Sequence, residues 1–169
     1  MNLPDAEQLL VDLTDRMQPD VTKNTVLVGI YTGGVWLAER LHQDLKCILP
    51  LGALDVSFYR DDFREIGLHP QVKPSNIPFE VEGRHIILID DVLYTGRTIR
   101  AAINELFDYG RPASIRLAAL VDRGEREMPI AANYVGADII LPEDKMLALE
   151  RGNNGRLSLS LYDKVSPEK

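Results

Sequence analysis

Cysteine is almost absent from this sequence, since Cys47 is the only one among 169 residues. A single thiol excludes an internal disulfide framework and a zinc site built from cysteines alone. Long apolar runs are missing too, and none approaches the roughly 20 residues that span a bilayer. The first residues, MNLPDAEQLLVDL, have no basic region ahead of their apolar positions, so we expect no signal peptide. These absences favour a soluble cytoplasmic protein without a membrane partner.

Positive charge is also scarce in this chain. Lys and Arg number 19 against 26 Asp and Glu, which gives a formal net charge of −7. Such an acidic chain argues against non-specific nucleic-acid binding, because that binding requires a basic surface. The exception is the segment 84–126, where seven arginines outnumber six acidic residues. We therefore expect an anionic ligand to bind in the middle of the chain.

Apolar patterning predicts strands that alternate with helices. The runs TVLVGI, HIILI and IRLAALVD are typical of strands buried on both faces of a sheet. Helices are predicted from an N-cap at Asn2 to Met17, over VWLAERLHQDL and over RTIRAAINELFDYG. The strict alternation of LDVSFY predicts a half-exposed strand, and the last part of the chain predicts a β-hairpin at about 143–165.

This order of elements favours an α/β fold, in which helices flank a central and mostly parallel sheet within one domain over 1–169. Ligands of such sheets bind beyond the carboxyl ends of the strands. We therefore expect the loops after residues 30, 59, 89 and 122 to lie along one rim. The segment 60–83 has three prolines and no period, which is typical of a functional or mobile connection.

The strongest motif is the string IILIDDVLYTGRT at 86–98. In it a buried strand leads into Asp90 and Asp91, and a short turn with Thr95 and Gly96 then opens a helix. A helix N-terminus offers N–H groups and partial positive charge to a phosphate, while glycine permits close backbone approach. Paired carboxylates can accept hydrogen bonds from a sugar diol or hold Mg²⁺ through water. The string therefore predicts a ribose 5-phosphate site.

A simpler interpretation treats the two aspartates as solvated acids and Thr95 as an ordinary helix cap. The complete string in its strand–turn–helix context favours the ligand site over that interpretation. The sequence has no Gly-x-x-x-x-Gly-Lys-Ser/Thr motif, so it gives no support to a P-loop nucleotidase.

This string and four further segments resemble the PyrR family, whose members are pyrimidine operon attenuation regulators and uracil phosphoribosyltransferases. The further segments are GIYTGGVWLAERL, LDVSFYRDD, NIPFEVEG and GRPASIRLAALVDRGEREMPIAANYVG, and the resemblance covers roughly residues 26–136. It implies a type I phosphoribosyltransferase fold with a small hood, and conversion of uracil and phosphoribosyl diphosphate (PRPP) into UMP and diphosphate. It further implies Mg²⁺ as cofactor and a homodimer or homotetramer.

The resemblance also implies roles for individual residues. Asp90 and Asp91 would act in catalysis, bind the ribose hydroxyls, and hold Mg²⁺ mainly through water and substrate. Arg123 would lie near the uracil and the diphosphate, and Arg60 would begin a flexible catalytic loop over about 60–80. The remaining PRPP- and UMP-binding residues would be the diphosphate turn of Thr32, Gly33 and Gly34, and the 5-phosphate loop of Val92, Leu93, Tyr94, Thr95, Gly96, Arg97 and Thr98.

Two of these roles have simpler alternatives. The glycine turn could be an ordinary connection from strand to helix, and it has Gly33 where many family members have arginine. Arg60 could be a surface residue that pairs with Asp61 or Asp62.

RNA binding is a second function that the resemblance implies. A protein that binds an mRNA leader stem-loop needs basic residues spread over one face. Residues 1–50 contain four basic and seven acidic residues, and Asp15 stands where the resemblance leads us to expect a basic one. A dimer could nevertheless gather Arg100, Arg111 and Arg116 on one surface.

A third possibility is a non-catalytic regulator that senses UMP or PRPP. The ribose-phosphate loop would look the same in an enzyme and in a sensor. A closing loop that begins at Arg60 favours the enzyme, because only a reactive centre needs protection from water.

Overall fold

The computed structural model describes residues 1–56 and 75–165. The helices of this part are α1 (Ala6–Met17), α2 (Gly33–Asp44) and α3 (Arg97–Tyr109), and a 3-10 turn, Gln18–Asp20, follows α1. The strands are β1 (Thr25–Ile30), β2 (Gly52–Leu54), β3 (His85–Leu93), β4 (Ser114–Asp122), β5 (Tyr134–Asp138), β6 (Lys145–Arg151) and β7 (Leu157–Asp163). Strands β1 to β5 form a parallel sheet in the order β2-β1-β3-β4-β5, and β6 and β7 form an antiparallel hairpin.

The parallel sheet separates two apolar layers, because successive side chains of a strand point to opposite faces. One layer contains Leu13 of α1, Leu41 of α2 and Leu149 of the hairpin, packed with Ile87 and Ile89 of β3. The other layer packs α3 against the alternate residues of the same strands. This arrangement confirms the predicted α/β class, the flanking helices and the C-terminal hairpin.

The first helix begins later than the sequence pattern predicts. Asp5 rather than Asn2 is the N-cap, since the Asp5 carboxylate accepts the N–H of Glu7 at 3.0 Å. Both residues are suitable cap types, and the helix begins at the one whose oxygen reaches an N–H group two residues on. The predicted apolar stripe of this helix is confirmed, since Leu9, Leu10, Leu13 and Met17 are buried.

Two strands also differ from their predicted bounds. β3 does not stop at residue 89, because its pairing with β4 continues through Asp90 and Ala119 as far as Leu93 and Asp122. β2 is a buried strand of three residues that pairs with β1. It ends at Leu54, where the half-exposed strand LDVSFY was predicted to begin.

The remainder of that predicted strand, from residue 57, lies outside the described residues. β5 is a strand that the apolar pattern did not predict. Its residues YVGAD have only partly buried side chains after Tyr134, so they carry little of the signal of a buried strand. In the two described ranges, no helix combines the length and the apolar character that crossing a membrane requires.

Candidate active site

The carboxyl ends of the parallel strands bring three predicted site segments to one edge of the sheet. The Arg123 N–H donates to the carbonyl of Leu93 at 3.0 Å, so the residue after β4 lies beside the end of β3. β3 pairs with β1 on the side opposite β4, and the turn before α2 follows the end of β1. The loop predicted after residue 59 lies outside the described residues, as does Arg60.

Asp90 and Asp91 lie in the last part of β3 and are 3% and 6% exposed. One oxygen of Asp90 accepts the N–H of Asp91, and one oxygen of Asp91 accepts the N–H of Val92, both at 2.9 Å. The strand therefore fixes the orientation of both carboxylates. Aspartate side chains are mostly exposed in proteins. The burial of both Asp90 and Asp91 therefore argues against the interpretation that they are solvated surface acids.

The two glycines of the turn before α2 pack directly against this aspartate pair. A Cβ on Gly34 would lie 2.4 Å from the Ile89 carbonyl oxygen, and one on Gly33 would lie 2.5 Å from Oδ2 of Asp91. No side chain fits at either position without displacing β3 or the carboxylate. The preceding peptide bond, between Tyr31 and Thr32, is cis. Small residues therefore let the N-terminus of α2 come within contact distance of Asp91.

The N-terminus of α3 has the features expected of a phosphate site. Gly96 is the N-cap with a φ of 95°, a left-handed conformation that favours glycine. The Thr95 hydroxyl, one residue before the cap, accepts the N–H of Arg97 at 3.3 Å, and both Thr95 and Thr98 are buried. The first turn of α3 contains no acidic residue. Its partial positive charge is therefore not offset by a carboxylate of the helix itself.

Three residues of the predicted 5-phosphate loop use their side chains elsewhere. Leu93 is buried in the apolar layer under α3, and Val92 packs against the layer on the opposite face. The guanidinium of Arg97 forms an ion pair with Glu127. These three residues can therefore contribute to a phosphate site chiefly through their backbone.

Arg123 is a buried cation at the same edge, only 4% exposed. Its guanidinium lies 3.8 Å from the centre of the Tyr94 ring, and its terminal nitrogens contact the Lys145 carbonyl at 3.5 Å and Glu125 at 3.4 Å. Among the residues that the structure describes, none accepts a hydrogen bond from its Nε. A buried donor of this kind is costly to leave unsatisfied and points to a ligand oxygen or nitrogen. Because Lys145 is the first residue of β6, the C-terminal hairpin contacts Arg123.

Sequence reasoning missed Arg126, and it did not foresee that Asp122 pairs with it. Arg126 donates to Asp122 at 2.7 Å and to the carbonyls of Tyr94 at 2.5 Å and Ile130 at 2.8 Å. The signal was available in the segment VDRGER, where a second arginine follows the end of β4. No spacing rule, however, distinguishes an arginine that braces a loop from one in solvent.

The donor set at the end of β3 fits a magnesium ion that is shared with a substrate. Mg²⁺ prefers carboxylate oxygens and is usually held by one or two of them together with substrate phosphates. Asp90 and Asp91 supply such oxygens at the buried edge. Among the described residues, no group of three or more His, Cys, Asp or Glu is arranged to hold a metal by itself.

The chain matches the phosphoribosyl transferase domain family over residues 6–146. Among curated relatives, the "Bifunctional protein PyrR" of Nitrosococcus oceani is 48% identical, over 96% of this chain and 98% of the relative. The protein of the same name from Pseudomonas fluorescens is 52% identical over the same shares. Both relatives therefore align along nearly their whole length.

Solved structures give the same fold. A hypoxanthine phosphoribosyltransferase from Staphylococcus aureus is 25% identical, with a TM-score of 0.67 over 86% of this chain and 79% of that one. A purine phosphoribosyltransferase from Pyrococcus horikoshii is 23% identical, with a TM-score of 0.60 over 79% and 82% of the two chains. These likenesses confirm the type I phosphoribosyltransferase fold that was expected from the sequence.

Proposed function

The chain belongs to the PyrR family of phosphoribosyltransferases, and we propose that it joins uracil to the ribosyl phosphate of PRPP, with UMP and diphosphate as products. One observation carries this proposal. A buried aspartate pair, an acid-free helix N-terminus and a glycine turn meet at one edge of the sheet. A sugar diol, a phosphate and a diphosphate need these three environments side by side.

In this proposal the ribose hydroxyls of the substrate donate hydrogen bonds to Asp90 and Asp91. The 5-phosphate accepts from backbone N–H groups at the start of α3 and from the hydroxyls of Thr95 and Thr98. Burial of these groups supports the assignment, because hydrogen bonds to a charged phosphate strengthen where water is excluded. The end of β3, the turn after it and the start of α3 together carry these groups.

The leaving diphosphate binds at the turn of Thr32, Gly33 and Gly34. The close contact between this turn and Asp91 supports that placement, because the backbone there can approach a ligand without a side chain intervening. Asp90 and Asp91 would hold Mg²⁺, which neutralises charge on the diphosphate when it is bound. Many family members have arginine at the position of Gly33. In this chain only the backbone at that position would contact the diphosphate.

The reaction forms the bond between uracil N1 and ribose C1 while the bond from C1 to the diphosphate oxygen breaks. The proton on uracil N1 passes to solvent, and the electron pair of the broken bond leaves with diphosphate. The protein accelerates this exchange mainly by positioning both reactants and by stabilising the departing charge. Arg60 and closure of a loop over about 60–80 stay predictions, since residues 57–74 lie outside the described ranges.

The test is UMP formation from uracil and PRPP by the purified protein, with and without Mg²⁺, and with hypoxanthine and orotate as rival acceptors. We expect Mg²⁺-dependent turnover that is selective for uracil. Asp91→Asn should lower turnover at least about a hundredfold, while the exposed Asp15→Asn serves as a matched control. Absence of turnover with any base, together with measurable UMP binding, would instead support the non-catalytic sensor.

RNA binding is a second candidate function, and the shared name "Bifunctional protein PyrR" of the relatives favours it. The side chains of Arg100, Arg111 and Arg116 are exposed in this chain, as a basic contact surface requires. We propose that a homodimer or homotetramer presents them to an mRNA leader stem-loop in a UMP-dependent manner. Gel-shift titration of such a stem-loop, with and without UMP, tests this, and binding that does not respond to UMP would contradict it.

A further inference from the structure

We propose that Arg126 is a positioning residue that holds the 5-phosphate loop in its binding geometry before substrate arrives. The proposal rests on the proposed function, because it assigns the segment 94–98 to the phosphate. Arg126 itself does not enter the aspartate pair or the glycine turn. It acts through its hydrogen bonds to the neighbouring backbone, and its side chain is 22% exposed.

The guanidinium of Arg126 joins three separate pieces of chain. Its NH2 atom donates to the Asp122 carboxylate at 2.7 Å, its NH1 atom donates to the Tyr94 carbonyl at 2.5 Å, and its Nε donates to the Ile130 carbonyl at 2.8 Å. Asp122 is fixed in turn, because its other oxygen accepts the N–H of Gly124 at 2.9 Å. The end of β4 is thus tied directly to the first residue of the turn between β3 and α3.

The neighbouring segment 127–130 braces the next residues of the same turn. The Thr95 carbonyl accepts the N–H groups of Glu127 and Met128 at 2.9 and 3.0 Å. A Cβ on Gly96 would lie 3.1 Å from side-chain atoms of Met128 and Ile130. The ion pair between Glu127 and Arg97 joins the same two segments. Arg126 adds a hydrogen bond from its guanidinium to the Tyr94 carbonyl, at the start of the turn.

The planar guanidinium is required because the three acceptors lie in different directions around it. Five N–H donors in a rigid fork can reach all three, whereas the ammonium of a lysine is a point donor on a flexible stem. Tyr94 connects this brace to the ligand side, since its ring lies under the guanidinium of Arg123. Loss of Arg126 should therefore displace the phosphate loop and disturb the stack with Arg123.

The first experiment compares the affinities of Arg126→Ala and Arg126→Lys for UMP and for uridine, which lacks the phosphate. We expect the Kd for UMP to rise between about tenfold and a hundredfold in Arg126→Ala, which is the size of one lost hydrogen bond to a charged phosphate, with a much smaller change for uridine. Arg126→Lys should restore part of the loss, and added guanidinium ion should restore part of it in Arg126→Ala alone. Arg84→Ala is the matched control, since Arg84 bonds a carbonyl and a side chain near the opposite end of β3.

The second experiment measures amide hydrogen exchange of the ligand-free proteins. Exchange over 94–98 should accelerate in Arg126→Ala and not in Arg84→Ala, whether or not the wild type turns over uracil. Faster exchange there without UMP binding by the wild type would contradict the proposed function and leave the bracing role supported. Equal losses for UMP and uridine, or unchanged exchange over 94–98, would overturn the role of Arg126.

Discussion

The N-termini of α1 and α3 solve the same problem in opposite ways. Each helix begins with N–H groups that have no partner inside the helix. In α1 the protein supplies the negative charge itself, through the Asp5 cap and Glu7 in the first turn. In α3 the cap is Gly96 and the first turn is free of acids.

The residues around the two helix N-termini also differ in charge. Glu7 is bound by Arg40 at 2.8 Å and by the N–H of Leu157 at 2.8 Å, so it joins α1 to α2 and to the hairpin. At α3, buried hydroxyls and Gly96 stand where α1 has acids. Under the proposed function, the comparison teaches that the helix end used for architecture carries its own anion, whereas the end that would bind the 5-phosphate lacks one.

The largest expected effect comes from giving α3 the chemistry of α1. Thr98 is the second residue of α3, as Glu7 is of α1. Thr98→Asp should weaken UMP binding about a hundredfold, because the carboxylate repels the phosphate and competes for its donors. Isothermal calorimetry measures this, with Thr98→Ser as the control that keeps the hydroxyl. UMP binding of wild-type strength by Thr98→Asp would show that the phosphate lies elsewhere.

A smaller effect is expected at the N-terminus of α2, which also lacks acids in its first turn. Gly33→Ala places a methyl group against the Asp91 carboxylate, 2.5 Å from Oδ2 in the present geometry. We expect turnover to fall about tenfold or more, with a stability loss of about 1–3 kcal/mol. Steady-state kinetics and thermal unfolding separate the two effects. Gly152→Ala, in the hairpin turn, is the control, and equal kinetic losses in both variants would remove Gly33 from the site.

Removing the cap of α1 should change stability and leave ligand binding intact. Asp5→Ala deletes the bond to the Glu7 N–H and should lower the free energy of unfolding by about 1 kcal/mol. Urea unfolding measures this loss, and Asp5→Asn should retain most of the stability. A parallel loss of UMP affinity in Asp5→Ala would mean that the two helix ends are not independent.

The smallest expected effect concerns the pH dependence of α1. The hydrogen bonds from Arg40 hold the pKa of Glu7 below its ordinary value. A lowered pKa means that the stabilisation is complete above about pH 4.5 and is lost as the pH falls further, through the pKa of the folded state. Because the pair is partly exposed, its contribution should be roughly 0.5 kcal/mol.

Urea unfolding of wild type and Glu7→Gln, followed between pH 7 and about pH 3, measures that contribution. The difference between the two proteins should shrink as the pH falls. A difference that stays constant over this range would assign the role of Glu7 to packing.

The sequence was sufficient for the elements that are long and strongly apolar, and for the string that ends β3. Buried strands and the stripe of α1 follow from periodicity, and so does the strand–turn–helix context of the string at 86–98. The phosphate and the diol that this string would bind stay predictions. It was insufficient where partners are distant in the chain. Arg126 acquires its role from Tyr94, and Asp90 lies in a strand because β4 continues beside it. The hydrogen bond between Arg126 and Tyr94 and the pairing of β3 with β4 form only in the folded protein, between residues that are distant in the sequence.

The Nε of Arg123 has no acceptor among the described residues, and this bears on how the proposed site would discriminate among ligands. A buried donor without an acceptor raises the free energy of the ligand-free protein by about 1–3 kcal/mol. A molecule whose acceptor reaches that atom recovers this energy on binding, in addition to its other contacts. An analogue with a carbon in the same place leaves the donor unsatisfied and excludes water from it as well. If Arg123 binds a ligand as proposed, selectivity would come from the penalty on wrong ligands as much as from attraction to the right one.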